Sequence, residues 1–548
     1  LYNSGGSGFM LPQNILTWMV VTILCAVICI LYRRRMLVIT PFFFCLVIGA
    51  ILLTAPLLWK TQPFYLWGAL PRIIGLWGGV FFYFCLLQLR LTIMVFRVIL
   101  WCVTLSALAE SLIVFQSLFF QETLSVVGRL FRAAYGRQAL GTFQQVNVTA
   151  SWLATGLSVL MAIVFGHRKK QLYGRHIAIS VLASGMLAIL SCSLVLTASR
   201  VGWLAGGLCY LISAVCAIRS VKAHTLSYSN GLILLLAPVV GVIAGMVFID
   251  RPLTQAIAHT SSNTQRLLTL RVTWQMIMLH PLSGWGLGSF RNTFQNYMAL
   301  NFSPNPSAEL MGHPHNELLY VWFEGGLVAL AGFLLIAYAI LRLLCCRPDM
   351  HRLMSWSMLI PVLLHTQTEF PLYYSAAHFI TLLFFLAMLD TGNGRHRIKF
   401  YVATLFIQML PVMRCIVGLL GAGIIVWLLR VMNTGFILSY FETDALTTPN
   451  DITHISPPVM TRARFSRDLN LLQLTRFYVS RDTTYLMKFI AVNAEQMKEH
   501  PAPDDYDNHI RVLIFLGEPV QAEAFRLSAH RLFPWDHRFT PNGENNSS

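Results

Sequence analysis

The chain has 548 residues, 56% of them hydrophobic and only 11% charged, with a mean hydropathy of +0.62. Soluble globular chains carry roughly a quarter charged residues, so the composition excludes a water-soluble enzyme and places the chain in a bilayer. The formal net charge of +17 is uneven: up to residue 432 there are 29 Lys/Arg against 9 Asp/Glu, and beyond it 11 against 14. Basic charge on a hydrophobic chain marks cytoplasmic loops. No basic cluster is joined to an aromatic stacking platform, so a nucleic-acid partner is not expected.

Leu1–Phe9, rich in Gly and Ser, precede Met10 and read as an appended leader outside the fold. From Leu11 to Arg430 the apolar stretches allow about twelve spans at roughly 20 residues each. The predicted class is therefore all-α: a polytopic membrane helix bundle over residues 10–431, followed by a separate domain at 432–548. The eleven cysteines fall in apolar stretches or at Cys345-Cys346, with neither a disulfide framework nor zinc spacing.

Basic clusters at Arg33–Arg35, Arg90 with Arg97, His167–Lys170 with Arg175, Arg219 with Lys222, Arg342–Arg352 and Arg395–Lys399 recur after every second apolar stretch. The positive-inside tendency makes these cytoplasmic. Segments near 59–72, 121–145, 198–201, 250–316 and 365–371, and everything after about residue 431, then share the opposite face. The stretch Phe400–Arg430 is long for one span and contains Arg414.

The connection from Asp250 to Asn316 far exceeds the loops of a packed bundle, which makes it a functional candidate. It holds an amphipathic stretch from Gln265 to Leu279, then His280-Pro281 and Gly284-Trp285-Gly286-Leu287-Gly288. Glycines two apart beside aromatics suit a tight turn that brings backbone close to something else. After residue 432, helical periodicity runs over Tyr485–Lys498 and His509–Phe533, with Gly517-Glu518-Pro519 ending one helix and starting the next. This is a helical hairpin of tetratricopeptide-like pattern. One such unit does not stand alone, so it packs on the membrane domain or on a partner.

Candidate chemistry gathers at span ends on one face. Gln145 and Asn147 end one loop, and His365 and Glu369 end another. These amides and carboxylates hydrogen-bond sugars, and they also cap helices. Arg200 and Arg266 suit a phosphate or pyrophosphate; snorkelling to lipid headgroups accounts for either one alone. Arg271 and Arg291 are weaker candidates of the same kind. In Gly312-His313-Pro314-His315-Asn316-Glu317, Asn316 is placed to cap the following helix. His315 then lies at the rim beside a positive helix end that suits an anion, where an imidazole can take a hydroxyl proton. Loop histidines binding only water or headgroups fit the spacing as well. No Asp-x-Asp pair stands in the loop, so a divalent metal holding a pyrophosphate is not expected there; no motif for a cofactor is read either.

Gly312–Leu319 followed by Glu324-Gly325-Gly326-Leu327 resembles the histidine motif of the O-antigen ligase and polymerase superfamily. Arg266-Leu267-Leu268-Thr269-Leu270, with His280–Gly286 downstream, resembles that family's loop arginine and its proline-glycine turn. Leu270 stands where the family commonly has tryptophan, and Arg271 follows, which leaves the arginine assignment open between Arg266 and Arg271. Ser199-Arg200 with Trp203 matches the upstream arginine motif. Within the superfamily, Gly141–Asn147, His365–Pro371 and the helical tail look most like the bacterial protein O-oligosaccharyltransferases of the PglL type.

The resemblance implies a multi-pass inner-membrane enzyme with a periplasmic site. Its donor is an undecaprenyl-pyrophosphate-linked glycan, and its acceptor a Ser or Thr hydroxyl of a periplasmic protein, pilin-like for example. It assigns catalysis to His315, Arg200 and Arg266, and substrate binding to Arg271, His313, Asn316, Glu317, Gln145, Asn147, His365 and Glu369. Two alternatives stay open: an O-antigen ligase acting on lipid A core or an O-antigen polymerase, and a lipid-glycan flippase. A flippase would place its polar residues at midplane depth.

Overall fold

The computed structural model describes residues 8–32, 36–60, 63–89, 92–120, 138–165, 177–222, 227–249, 260–345, 350–392, 398–401, 404–443 and 452–540. The basic clusters at Arg33–Arg35, Arg90 and His167–Lys170 with Arg175, and the loop part at 121–137, lie outside them. Eight long helices come first: α1 (Pro12–Leu31), α2 (Pro41–Thr54), α3 (Pro63–Gln88), α4 (Ile93–Phe119), α5 (Val146–Phe165), α6 (Ile177–Leu196), α7 (Arg200–Lys222) and α8 (Tyr228–Phe248). The long connection contributes α9 (Thr260–Leu279) and α10 (Phe290–Asn301). Then follow α11 (Glu317–Cys345), α12 (Met350–His365), the single turn α13 (Pro371–Tyr374), α14 (Ala376–Gly392) and α15 (Thr404–Thr443).

The all-α bundle is what the structure has, with fewer long spans than expected. Ten helices among the described residues are long and apolar enough to cross a membrane, against the expected twelve or so. The difference is α12 and α14, of 16 and 17 residues, too short to qualify by length. A two-stranded antiparallel ladder of β1 (Met36–Ile39) and β2 (Ile398–Tyr401), with Met36 opposite Tyr401, is the sheet present among the described residues. The stretch around Arg414 forms one helix, α15, which runs past residue 431 to Thr443; Arg414 donates to the carbonyl of Tyr32 at 2.9 Å.

At the centre stands α5, buried without a break from Val148 to Met161 and packed by α4, α6, α7 and α12. A helix with no exposed stripe belongs inside a bundle. Small residues permit the close approach: a Cβ on Gly156 would meet that of Ala107 in α4 at 2.2 Å. The outer helices turn large side chains such as Leu112, Leu182, Leu211 and Val240 outward, as a lipid-facing surface requires.

The glycine run does bring backbone onto backbone. Gly284 and Gly286 take φ of +70° and +111°, and α11 breaks at Gly326 with φ 64°. Trp285 N–H donates to Phe323 O at 2.8 Å, Gly286 N–H to Glu324 O at 2.9 Å, and Leu327 N–H to Leu282 O at 3.1 Å. Carbonyls and amides freed by the break are thus re-paired by the long connection, which fixes that connection over the bundle rim.

The tail has four helices where sequence periodicity indicates one hairpin: α16 (Arg462–Ser480), α17 (Thr484–Glu499), α18 (Pro503–Phe515) and α19 (Pro519–Leu532). Adjacent helices pack in sequence, with Gly517 at φ +82° and Pro519 opening α19 as expected. The tail is held to the long connection by amide side chains that cap helix ends. Asn292 donates to Lys498 O at the end of α17, Gln295 to Leu532 O at the end of α19, and Asn305 to Arg531 O at 2.8 Å. These carbonyls lack intrahelical partners.

Candidate active site at the bundle rim

Glu369 is the hub. It lies in the turn between α12 and α13, nearly fully buried at 4% exposed. Asn147 Nδ2 donates to its Oε1 at 2.6 Å and Gln145 Nε2 to its Oε2 at 2.5 Å. Arg266, on the first turns of α9, donates from NH2 to Oε1 at 3.2 Å, and His365 Nε2 lies 3.3 Å from Oε2. Burial pushes the Glu369 carboxyl up. Hydrogen bonds from His365 and Asn147, with the charge of Arg266, act against burial, and the carboxyl is held below the ordinary carboxylate range.

Two further elements close on this hub. Ser199 caps α7: its hydroxyl accepts from Gly202 N–H at 3.3 Å and donates to Asn147 Oδ1 at 2.6 Å. Arg200 follows at the first position of α7 and donates to Asn263 Oδ1 at 2.7 Å, one helical turn before Arg266. Asn316 caps α11 as expected, accepting from Leu319 N–H at 3.0 Å. The positive ends of α7 and α11 therefore sit with two guanidiniums and one carboxylate at one rim.

His315 takes a left-handed backbone, φ 55°, and its ring centroid lies 4.6 Å from that of His313. Its Nδ1 is buried with no hydrogen-bond partner. Burial lowers its pKa from the ordinary value; Glu369 pulls the other way and Arg266 adds to the fall. The ring is thus neutral at neutral pH and offers a lone pair. His313 is buried at 6% exposed, packs edge-on against Phe370, and is held down to about 3 by burial and then by His315. It carries no charge for an anion.

Of the residues expected at the site, Gln145, Asn147, Arg200, Arg266, His315, His365 and Glu369 come together here. Arg271 does not: it is exposed on α9 and turned about 140° away from Arg266 by the helical repeat. Arg291 lies beside Arg467 and Asp505 of the tail. Glu317 turns inward, accepting from the Tyr373 hydroxyl and facing a cavity.

That cavity, of about 590 Å3, opens beneath the rim between α1, α2, α3, α11 and α14. Trp18, Phe42, Leu46, Leu76, Phe379 and Leu383 give it an apolar wall, while Glu317, Thr366 and Gln367 join it to the rim. Its polar feature is an ion pair, Arg72 NH2 to Glu324 Oε2 at 2.7 Å, with Arg72 stacked over Tyr320 at 4.8 Å.

Sequence reasoning gave no site role to three charged residues in this region. Arg72 and Glu324 border the cavity. Glu110 of α4 accepts from Thr142 N–H and Oγ1, each at 2.7 Å, and so pins the turn that presents Gln145 and Asn147. Each is an ionisable side chain inside an apolar run, and such residues cost too much in a bilayer to be incidental. Ser151 and His378 were also missed.

Residues 185–334 match the family model described as O-antigen ligase, a span that contains Arg200, Arg266 and His315. Residues 353–544 match a second model, described as the C-terminal part of a virulence factor membrane-bound polymerase, which contains His365, Glu369 and the tail. A protein of Rickettsia typhi named for polysaccharide ligase activity is 26% identical over 229 residues, 41% of this chain. The aligned part is 52% of that relative, so the chain spans about half its length. No solved structure matches. Two family models in tandem, together with this relative, identify the chain as a member of the O-antigen ligase and polymerase superfamily.

Proposed function

We propose that the protein is a glycosyltransferase that moves an oligosaccharide from undecaprenyl pyrophosphate to Ser or Thr hydroxyls of periplasmic proteins. What carries the reading is the gathering of Arg200, Arg266 and His315 around Glu369, although they are far apart in sequence. Arg266 spends one nitrogen on Glu369 and keeps its other N–H groups for the pyrophosphate, beside Arg200 and the positive end of α7. His315 takes the acceptor proton as the hydroxyl oxygen attacks the anomeric carbon and the sugar–pyrophosphate bond breaks. A single displacement inverts that carbon. Gln145, Asn147 and Asn316 supply hydrogen bonds at the glycan end, and the apolar cavity under the rim suits the polyprenyl chain. Positive charge at the leaving group comes from arginine, so turnover continues in chelator. The active face is periplasmic and the membrane is the bacterial inner membrane.

A second reading, polymerisation of O-antigen, is favoured by the match of residues 353–544 to a polymerase C-terminal model. Purified protein given a polyprenyl-pyrophosphate glycan, a Ser/Thr peptide and lipid A core separates these by product mass. Glycopeptide supports the proposal. Sugar on lipid A core or a lengthened lipid-linked chain replaces it with ligase or polymerase.

A further inference from the structure

Behind Glu369 an unbroken line of buried polar groups runs into the bundle, and no step of the proposed transfer uses it. His365 Nδ1 lies 2.9 Å from Ser151 Oγ. The same oxygen lies 3.0 Å from His378 Nε2, and His378 Nδ1 lies 2.8 Å from Ser375 Oγ. His365, Ser151, His378 and Ser375 are each at most 1% exposed, so no solvent supplies alternative partners. They come from α12, α5, α14 and the residue before α14. Trp152 and Phe143 close over the His378 ring at centroid distances of 4.9 and 5.3 Å.

Hydrogen counting sets the direction of this line. An ionised Glu369 only accepts, so His365 Nε2 must carry a hydrogen. With Nε2 carrying the ring's one hydrogen, Nδ1 is bare and takes the Ser151 hydroxyl hydrogen. Ser151 Oγ, its hydrogen spent, accepts from His378 Nε2–H, and His378 Nδ1 accepts from Ser375. Every donor points toward Glu369. The competing arrangement sends the Ser151 hydrogen to Val148 O, 3.0 Å away. Both imidazoles must then donate into Ser151, and His365 reaches Glu369 only as a cation. With Glu369, Arg266 and His315 already facing one another at the rim, a further buried cation is costly.

We propose that Ser375, His378, Ser151 and His365 form a one-way relay of positioning residues that keeps Glu369 ionised and aimed at Arg266, so that Arg266 presents a fixed N–H edge to the substrate phosphate. Hydrogen bonds arranged head to tail polarise one another, and a carboxylate at the end of such a chain gains from each link. The groups facing Glu369 from its neighbours are Arg266 of α9, His365 of α12, His315 before α11, and the amides of Gln145 and Asn147. His313, the neutral imidazole beside His315, also lies within electrostatic reach of Glu369. Only the use of the Arg266 edge rests on the proposed glycosyl transfer; the control of Glu369 charge does not.

The test is infrared titration of the Glu369 carboxylate in substrate-free protein, with its band identified by loss in Glu369→Gln. In the wild type the carboxylate stays ionised to below the ordinary glutamate range. Ser151→Ala and His378→Leu each cut the relay, and the midpoint rises by about one pH unit, a tenfold change in protonation. Ser151→Thr keeps the hydroxyl and the wild-type midpoint. Two variants at separate links guard against one failing to fold. Unchanged midpoints in folded Ser151→Ala and His378→Leu overturn the relay, even if the protein proves to be a polymerase; a shifted midpoint with no glycopeptide product overturns the transfer reading alone.

Discussion

Arg266 and Glu369 lie 103 positions apart and form a 3.2 Å ion pair in which the arginine is 29% exposed and the carboxylate 5%. The buried partner fixes the exposed one. Exposed pairs contribute little to stability, so the weight of this contact falls on geometry: it orients a guanidinium whose remaining donors face outward. Arg266→Ala and Arg200→Ala are each expected to weaken donor binding about 10- to 100-fold, as loss of hydrogen bonds to a charged group does. Arg271→Ala is expected to stay within about twofold of wild type. Titration of a polyprenyl pyrophosphate against each purified variant checks the contrast.

His315→Ala is expected to lower kcat by about 10² to 10⁴ while donor affinity holds within about threefold, the signature of a lost base and an intact binding site. Because burial depresses the His315 pKa, the neutral base persists below the ordinary histidine value. The acid limb of the wild-type pH–rate profile therefore falls below about pH 6.5. An acid limb above that value would contradict the assignment.

His313 gives a stability effect with a definite sign. Its pKa is depressed to about 3 in the fold, against an ordinary 6.5. Below the ordinary value the unfolded chain binds a proton that the folded chain refuses, so stability present above pH 6.5 is lost as the pH falls toward about 3. His313→Phe, which suits the contact with Phe370, is expected to flatten the decline of melting temperature between about pH 6.5 and 4. An unchanged slope would show that His313 does not set it.

Gly284→Ala would put a Cβ 2.5 Å from Glu324 O at a φ of +70°. The cost is roughly 1–3 kcal/mol from the backbone conformation alone, and the clash with α11 adds to it. The melting temperature should fall, and activity with it, because the same contact seats the long connection that carries Arg266. Gly312→Ala, where a Cβ meets nothing within 4 Å, serves as the neutral control.

Much of this was legible in the chain. Apolar runs gave the helices, and the basic clusters placed Arg200, Arg266, His315 and Glu369 on one face. Asn316 announced a helix cap, and Gly517-Glu518-Pro519 a helix break. Spacing could not choose between Arg266 and Arg271; the helical repeat does, by turning one toward Glu369 and the other to solvent. Ser151 and His378 were hidden because small and aromatic polar residues in apolar helices look like ordinary bundle packing until a partner from another helix is seen. Arg72, Glu110 and Glu324 carried a readable signal, since a charge inside a span needs a reason. The helix at 462–480 was missed because its charged residues are spread around the helix and leave no clear apolar face.

The central claim is that Arg200, Arg266 and His315 form one centre for transfer from a lipid pyrophosphate to a protein hydroxyl. Mass spectrometry of a Ser/Thr acceptor incubated with purified protein and polyprenyl-pyrophosphate glycan tests it most directly. The account predicts a glycopeptide that forms in chelator, disappears with His315→Ala, and falls sharply with Arg200→Ala and Arg266→Ala. Glycopeptide made at the wild-type rate by His315→Ala would contradict it.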